Sequence, residues 1–138
     1  MDPNRAIYWL NLGDAQRRIK DWVSARNSYR HGLQLVQGQV ITNQANASAR
    51  AYLAYFKARL GFREEAESQI AAALNAPGKD DQVVLCSVQT YEALGERKQA
   101  LEAAARATPQ TRTQMAHHPD LADLAQDSRF KSLKGQIK

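Results

Sequence analysis

"LGFREEAESQIAAALNAP" occupies residues 60–77 and "LGERKQALEAAARATP" occupies residues 94–109. Gly61 and Gly95 are 34 residues apart, as are Leu60 and Leu94, and Ala66 and Ala100. A single helical hairpin cannot bury its own apolar face. Similar hairpins stacked on one another can, and an interval near 34 residues suits a two-helix unit.

The rest of the chain suits helices. Its 138 residues are enough for one ordinary domain. Alanine and arginine are plentiful and β-branched residues are few, which predicts an all-helical protein with a thin core of small residues. No apolar run approaches the ~18 residues of a membrane span. The start, "MDPNRAIYWLNLG", lacks the basic-then-apolar order of a leader. The lone cysteine, Cys86, excludes an internal disulfide and leaves the compartment open, with the cytoplasm as the expectation.

The net charge of +5 is unevenly placed. Residues 1–60 carry nine Lys/Arg against three acids, whereas residues 61–138 carry ten against eleven. The first half is therefore the better candidate for an acidic partner.

A third copy lies upstream, in "WLNLGDAQRRIKDWVSARNSYRHGL". Trp9, Leu12-Gly13, Ala25, Tyr29 and Gly32 resemble the tetratricopeptide repeat (TPR), whose pattern is Trp-x2-Leu-Gly-x2-Tyr followed by Ala-x3-aromatic and Pro. Gln16 holds the tyrosine slot. The second copy reads Arg50, Leu53-Ala54, Lys57, Ala66, Ile70, Ala73. The third reads Val84, Ser87-Val88, Tyr91, Ala100, Ala104, Ala107. The resemblance covers about residues 4–109. It implies a right-handed α-α superhelix of three hairpins closed by C-terminal capping helices. The units are repeat 1 at 6–46, repeat 2 at 47–80, repeat 3 at 81–109 and the cap at 110–138, all within one domain, 1–138.

Each slot has a physical reason. Small residues at Gly13, Ala25, Ala66 and Ala100 let paired helices approach. Large ones at Trp9, Leu12, Tyr29, Leu53, Ile70 and Tyr91 fill gaps between hairpins. Gly61 and Gly95 stand at helix ends, where glycine adopts the left-handed conformation cheaply. Lys20 takes that slot in the first copy, with Asp21 placed to cap the next helix.

From Ala25 to Ala66 is 41 residues, seven beyond the interval. Seven residues make nearly two turns at ~3.6 residues per turn. The series Ala25, Tyr29, Leu33, Val36, Val40 keeps helical spacing. The insertion therefore reads as a longer second helix in repeat 1, with "TNQANAS" (42–48) making the turn. A loop from Gln37 to Ser48 is the alternative.

"MDPNR" is similar to a TPR unit ending on Asp-Pro, which implies a piece cut from a longer chain; a native start with Pro3 opening the first helix is the other reading. After Pro109 the pattern stops. Leu121, Leu124, Phe130 and Leu133 keep helical spacing, Pro119 suits a helix start and Asp127 a cap. The last unit of a stack leaves an apolar face that an atypical element must cover. This tail is similar to those of TPR regions in bacterial signalling proteins, including serine/threonine kinases, adenylate cyclases and membrane transcription regulators. "NLGDAQRR" strengthens the kinase comparison, although the chain has no Gly-rich phosphate loop, His-Arg-Asp or Asp-Phe-Gly.

Catalytic chemistry has little support. His31, His117 and His118 lack the partners of a metal set, and "HHPD" reads as a surface turn. Cys86 has no nearby histidine in sequence and reads as a packing residue. Glu64-Glu65 and Asp80-Asp81 suit helix starts. No enzyme, metal or cofactor is expected.

The resemblance instead implies a concave groove lined by the first helix of each hairpin. Its geometry would present Leu10, Asp14, Arg17 and Arg18 from repeat 1. Repeat 2 would add Ala51, Tyr52, Tyr55 and Arg59, and repeat 3 Gln82, Leu85, Gln89 and Glu92. Arginines beside tyrosines suit an acidic or C-terminal peptide, because guanidinium pairs bidentately with carboxylate; solvated charges are the alternative. Leu10 precedes Asn11 where TPR proteins that clamp chaperone tails have a lysine, so that chemistry is not expected. The reading is thus a non-catalytic protein-interaction module from a larger bacterial signalling protein. Self-association through an apolar face around Ile7 and Leu10 is the alternative. Nucleic-acid binding through Arg5, Arg17, Arg18, Lys20, Arg26 and Arg30 ranks below both, since these residues form no single stripe.

Overall fold

A computed structural model describes residues 4–43, 45–77 and 80–135 of the chain. The expectations for Met1–Pro3 lie outside the described residues. Within them the chain is all-helical, with no strands. Helices neighbouring in sequence pack as pairs: α1 (Ala6–Arg18) with α2 (Trp22–Thr42), α3 (Ala47–Arg59) with α4 (Arg63–Asn75), and α5 (Asp81–Ala93) with α6 (Arg97–Ala104). The tail adds α7 (Pro109–His117), a 3-10 turn (Pro119–Leu121), α8 (Ala122–Gln126) and α9 (Ser128–Gly135).

The three hairpin turns share one hydrogen-bond scheme. Lys20, Gly61 and Gly95 adopt φ of 66°, 92° and 75°. The next amide in each case reaches back five residues: Asp21 to the Gln16 carbonyl at 2.9 Å, Phe62 to Lys57 at 2.8 Å, Glu96 to Tyr91 at 2.8 Å. These bonds satisfy carbonyls at the helix ends. The same residues' carbonyls then accept from Ala25, Ala66 and Ala100, starting each second helix. The alanines that mark the interval in sequence are therefore the first residues hydrogen-bonded into those helices, and all three are buried.

Helix α2 runs unbroken to Thr42, so the insertion is helical. The connection that follows is residues 43–46, shorter than the 42–48 turn read from polarity. Asn46 stops it by capping α3, accepting from the Ala49 amide at 3.0 Å. Asp21 and Asp80 cap α2 and α5 in the same way.

Helix α3 is central, touching α1, α2, α4 and α5. Alanines at 47, 49, 51 and 54 allow that close approach, while Leu53, Tyr55 and Phe56 fill the spaces between neighbours. A Cβ on Gly13 would lie 2.6 Å from Tyr29 Cε1, and one on Gly32 would collide with the Phe56 ring. Trp9 and Leu12 are half-buried; Trp9 packs at the margin of the core and meets the His31 ring edge-on.

The tail covers the last hairpin. Leu121, Leu124 and Phe130 are buried with Met115, and Leu133 is half-buried against the same core. Arg97 ties the tail down, pairing with both oxygens of Glu92 at 2.7 and 2.8 Å and with Asp127 at 3.1 Å.

Candidate functional site

One turn and a half of α1 carries the charged part of the site. Asp14, Arg17 and Arg18 fall on neighbouring positions of the helix surface. Asp14 points inward and is 1% exposed. Its Oδ1 accepts from the Tyr29 hydroxyl at 2.6 Å and from the Tyr55 hydroxyl at 2.5 Å, joining α1, α2 and α3. Arg17 Nε donates to the Tyr29 oxygen at 3.2 Å, and Arg59 Nε donates to the Tyr55 oxygen at 3.0 Å. Two tyrosines thus stand between a buried carboxyl and two guanidinium groups.

The outer ends of Arg17 and Arg18 meet the tail. Arg18 donates through Nε and Nη2 to the two oxygens of Asp120 at 3.1 and 3.0 Å. Arg17 Nη2 lies 2.7 Å from Asp120 Oδ2. His118 lies beside this fork. Its Nδ1 accepts from the Asp120 amide at 3.1 Å, and its Nε2 is 2.8 Å from the Gln89 side-chain amide of α5. The segment His118–Leu121 therefore rests on both α1 and α5, with Leu121 buried behind it.

Electrostatics follow from this enclosure. Burial alone pushes the Asp120 carboxyl up, but Arg18 and Arg17 outweigh it and hold it below the usual carboxylate range. Burial likewise opposes the Arg17 charge, and Tyr29 and Asp120 overcome it. Burial, then Asp14, pushes the Tyr29 phenol up to about 12. Burial raises Tyr55 well above its ordinary value and lowers His118.

The expected groove residues do not share one surface. Asp14, Arg17, Arg18, Tyr55, Arg59 and Gln89 meet in one network, with Arg17 and Arg59 half-buried and Arg18 at its exposed rim. They do not line an open trough, because Asp14, Tyr55 and Gln89 are buried beneath neighbours. Leu10 and Ala51 are core residues, so the apolar face proposed around Ile7 and Leu10 is not free either. Tyr52 and Leu85 are half-buried elsewhere; Tyr52 lines a small cleft with Arg5, Ile7, Gln39 and Asn46. Gln82 is exposed, and Glu92 is engaged by Arg97.

Sequence reasoning missed Tyr29, His118 and Asp120. Tyr29 reads as a space filler, which it also is. "HHPD" reads as a surface turn, and Asp120 is one of three aspartates in "HHPDLADLAQD", with nothing local to single it out. Asp120 and Arg18 are 102 residues apart, a distance at which spacing carries no information.

Other chemistry is sparse. Cys86 is buried, its thiol donating to the Ala51 carbonyl at 3.4 Å, and burial pushes it up to about 12, so it stays protonated at neutral pH. Among the described residues no three His, Cys, Asp or Glu side chains converge as a metal ion would need, and no helix is long and apolar enough to cross a membrane. No family model matches the chain, and neither does any curated protein or solved structure.

Proposed function

We propose that this chain is a non-catalytic protein-interaction module: a right-handed superhelix of three TPR-like hairpins with a C-terminal cap. Its setting would be a larger bacterial signalling protein of the serine/threonine kinase kind. Support for the repeat reading is the common turn geometry at Lys20, Gly61 and Gly95 and the pairing of helices adjacent in sequence. The partner is an acidic peptide or protein segment.

One observation carries the ligand chemistry. Arg17 and Arg18 converge on a single carboxylate, Asp120, with both nitrogens of the Arg18 edge engaged. Planar guanidinium groups recognise carboxylate through such paired bonds. Tyr29, hydrogen-bonded to Asp14, orients Arg17, so part of the fork is preformed on the scaffold.

The test is a panel of acidic and neutral peptides titrated by fluorescence anisotropy against the whole chain, its Arg18→Ala variant and an Asp120→Asn variant. Binding confined to acidic peptides and lost in Arg18→Ala is the expected result. Absence of acidic-peptide binding to the wild type and to Asp120→Asn, or binding indifferent to Arg18→Ala, would refute it.

A second reading, self-association, is favoured by a different surface. Ile19, Trp22 and Val23 at the first hairpin turn are 76%, 60% and 74% exposed. Sedimentation velocity tests it: a monomer at every concentration removes this reading.

A further inference from the structure

This inference rests on the acidic-segment reading. We infer that the His118–Leu121 segment is an internal occupant of the arginine site, and that the external partner is a segment of the same chemistry: an acidic residue followed directly by leucine.

The geometry leaves no room for both. Asp120 takes the Nε and Nη2 edge of Arg18 and lies against Nη2 of Arg17, so a second carboxylate cannot take that edge, the one shared with Arg17, while Asp120 holds it. The residue after it, Leu121, is buried among core residues, which makes the docking two-point: a charged fork and an apolar anchor. Pro119 limits the backbone just ahead of them, and the His118 ring accepts from the Asp120 amide, holding the turn. A ligand reproducing Asp-Leu would use both points.

The occupant lies between α7 and α8, helices of nine and five residues whose stability comes from packing through Met115 and Leu124, so it leaves the site only when this part of the tail opens locally. Tethering gives it an effective concentration on the order of millimolar. An external segment therefore meets a standing competitor, and its apparent affinity falls by the closed-to-open ratio of the tail.

The probe is a fluorescein-labelled peptide of residues 116–123, "AHHPDLAD", titrated against the full chain. Asp120→Asn should bind it roughly tenfold or more tightly than the wild type, since the competitor loses its charge. Adding Arg18→Ala to that variant, or replacing the peptide's aspartate with asparagine, should abolish the gain. Equal affinity of wild type and Asp120→Asn overturns the internal-occupant inference while leaving acidic-segment binding intact. No binding of this peptide to any form, while other acidic peptides bind through Arg18, overturns the Asp-Leu assignment alone. No acidic peptide binding anywhere removes the underlying reading. A second measurement needs no variant: saturating peptide should speed hydrogen exchange at the Leu121 amide of the wild type, and unchanged exchange in the bound state counts against displacement.

Discussion

The Tyr55 hydroxyl donates to Asp14 Oδ1 at 2.5 Å, between a helix of the second hairpin and one of the first, with both side chains enclosed. Tyr29 reaches the same oxygen from α2. Three helices are thus bound through one buried oxygen, and each hydroxyl accepts in turn from an arginine. Such a network specifies a unique packing only while every member is satisfied.

Tyr55→Phe should therefore be costly although it keeps the ring. It removes a hydrogen bond to a carboxyl and an acceptor for Arg59. The expected loss is about 1.5–3 kcal/mol, the range for hydrogen bonds to charged groups. Urea denaturation would measure it, with an unchanged slope. A loss below about 0.5 kcal/mol would mean that the network adds little beyond packing.

Three glycines of the first hairpin should respond in opposite directions. At Gly13 and Gly32 an added methyl meets the Tyr29 and Phe56 rings, so alanine should destabilise by about 1–3 kcal/mol. At Gly38 nothing lies within 4 Å, and Gly38→Ala should stabilise by about 0.5–1 kcal/mol through helix propensity alone. Thermal melts of the three variants would decide; a loss at Gly38 would contradict the open surface seen there.

Lys20 carries the left-handed backbone that glycine carries in the other two hairpin turns. Lys20→Gly should raise stability by up to about 1 kcal/mol, because a Cβ is penalised in that conformation. Gly95→Ala should lower it by a similar amount. If both changes move stability the same way, backbone strain is not the cause.

Acidification should loosen the tail in two steps. The groups facing His118 are Asp120 and Asp14, which favour its proton, and Arg18 and Arg17, which oppose it; burial is the largest influence and lowers it. The unfolded ring protonates near its ordinary value of about 6.5. Docking stability is thus complete above that pH and falls as pH drops through it towards the lower folded value. Asp120, held below the usual range, contributes stability that is present above about 3.9 and disappears at lower pH. Exchange rates at Leu121 across a pH series would show both steps. His118→Asn, whose side-chain oxygen can still accept the Asp120 amide, should remove the upper one; its persistence would assign that step to another group.

By itself the sequence determined what near neighbours decide. Helix propensity and periodicity placed the hairpins and extended α2 through the insertion. Glycine at positions 61 and 95 and aspartate at 21 marked turns and caps that the structure contains. Leu121, Leu124 and Phe130 announced an apolar tail element, and they are buried. These features depend on residues within a few positions of one another, so a linear reading reaches them. Tertiary structure alone decided what the polar residues of the first helices do. Asp14, Tyr55 and Gln89 could equally have faced water, and Arg17 and Arg18 could have been solvated charges. Their partners arrive from α2, α3 and a segment some hundred residues away. No period links such positions: whether a charge is buried, paired or free depends on which surface comes to lie over it, and that is settled only when the whole chain packs.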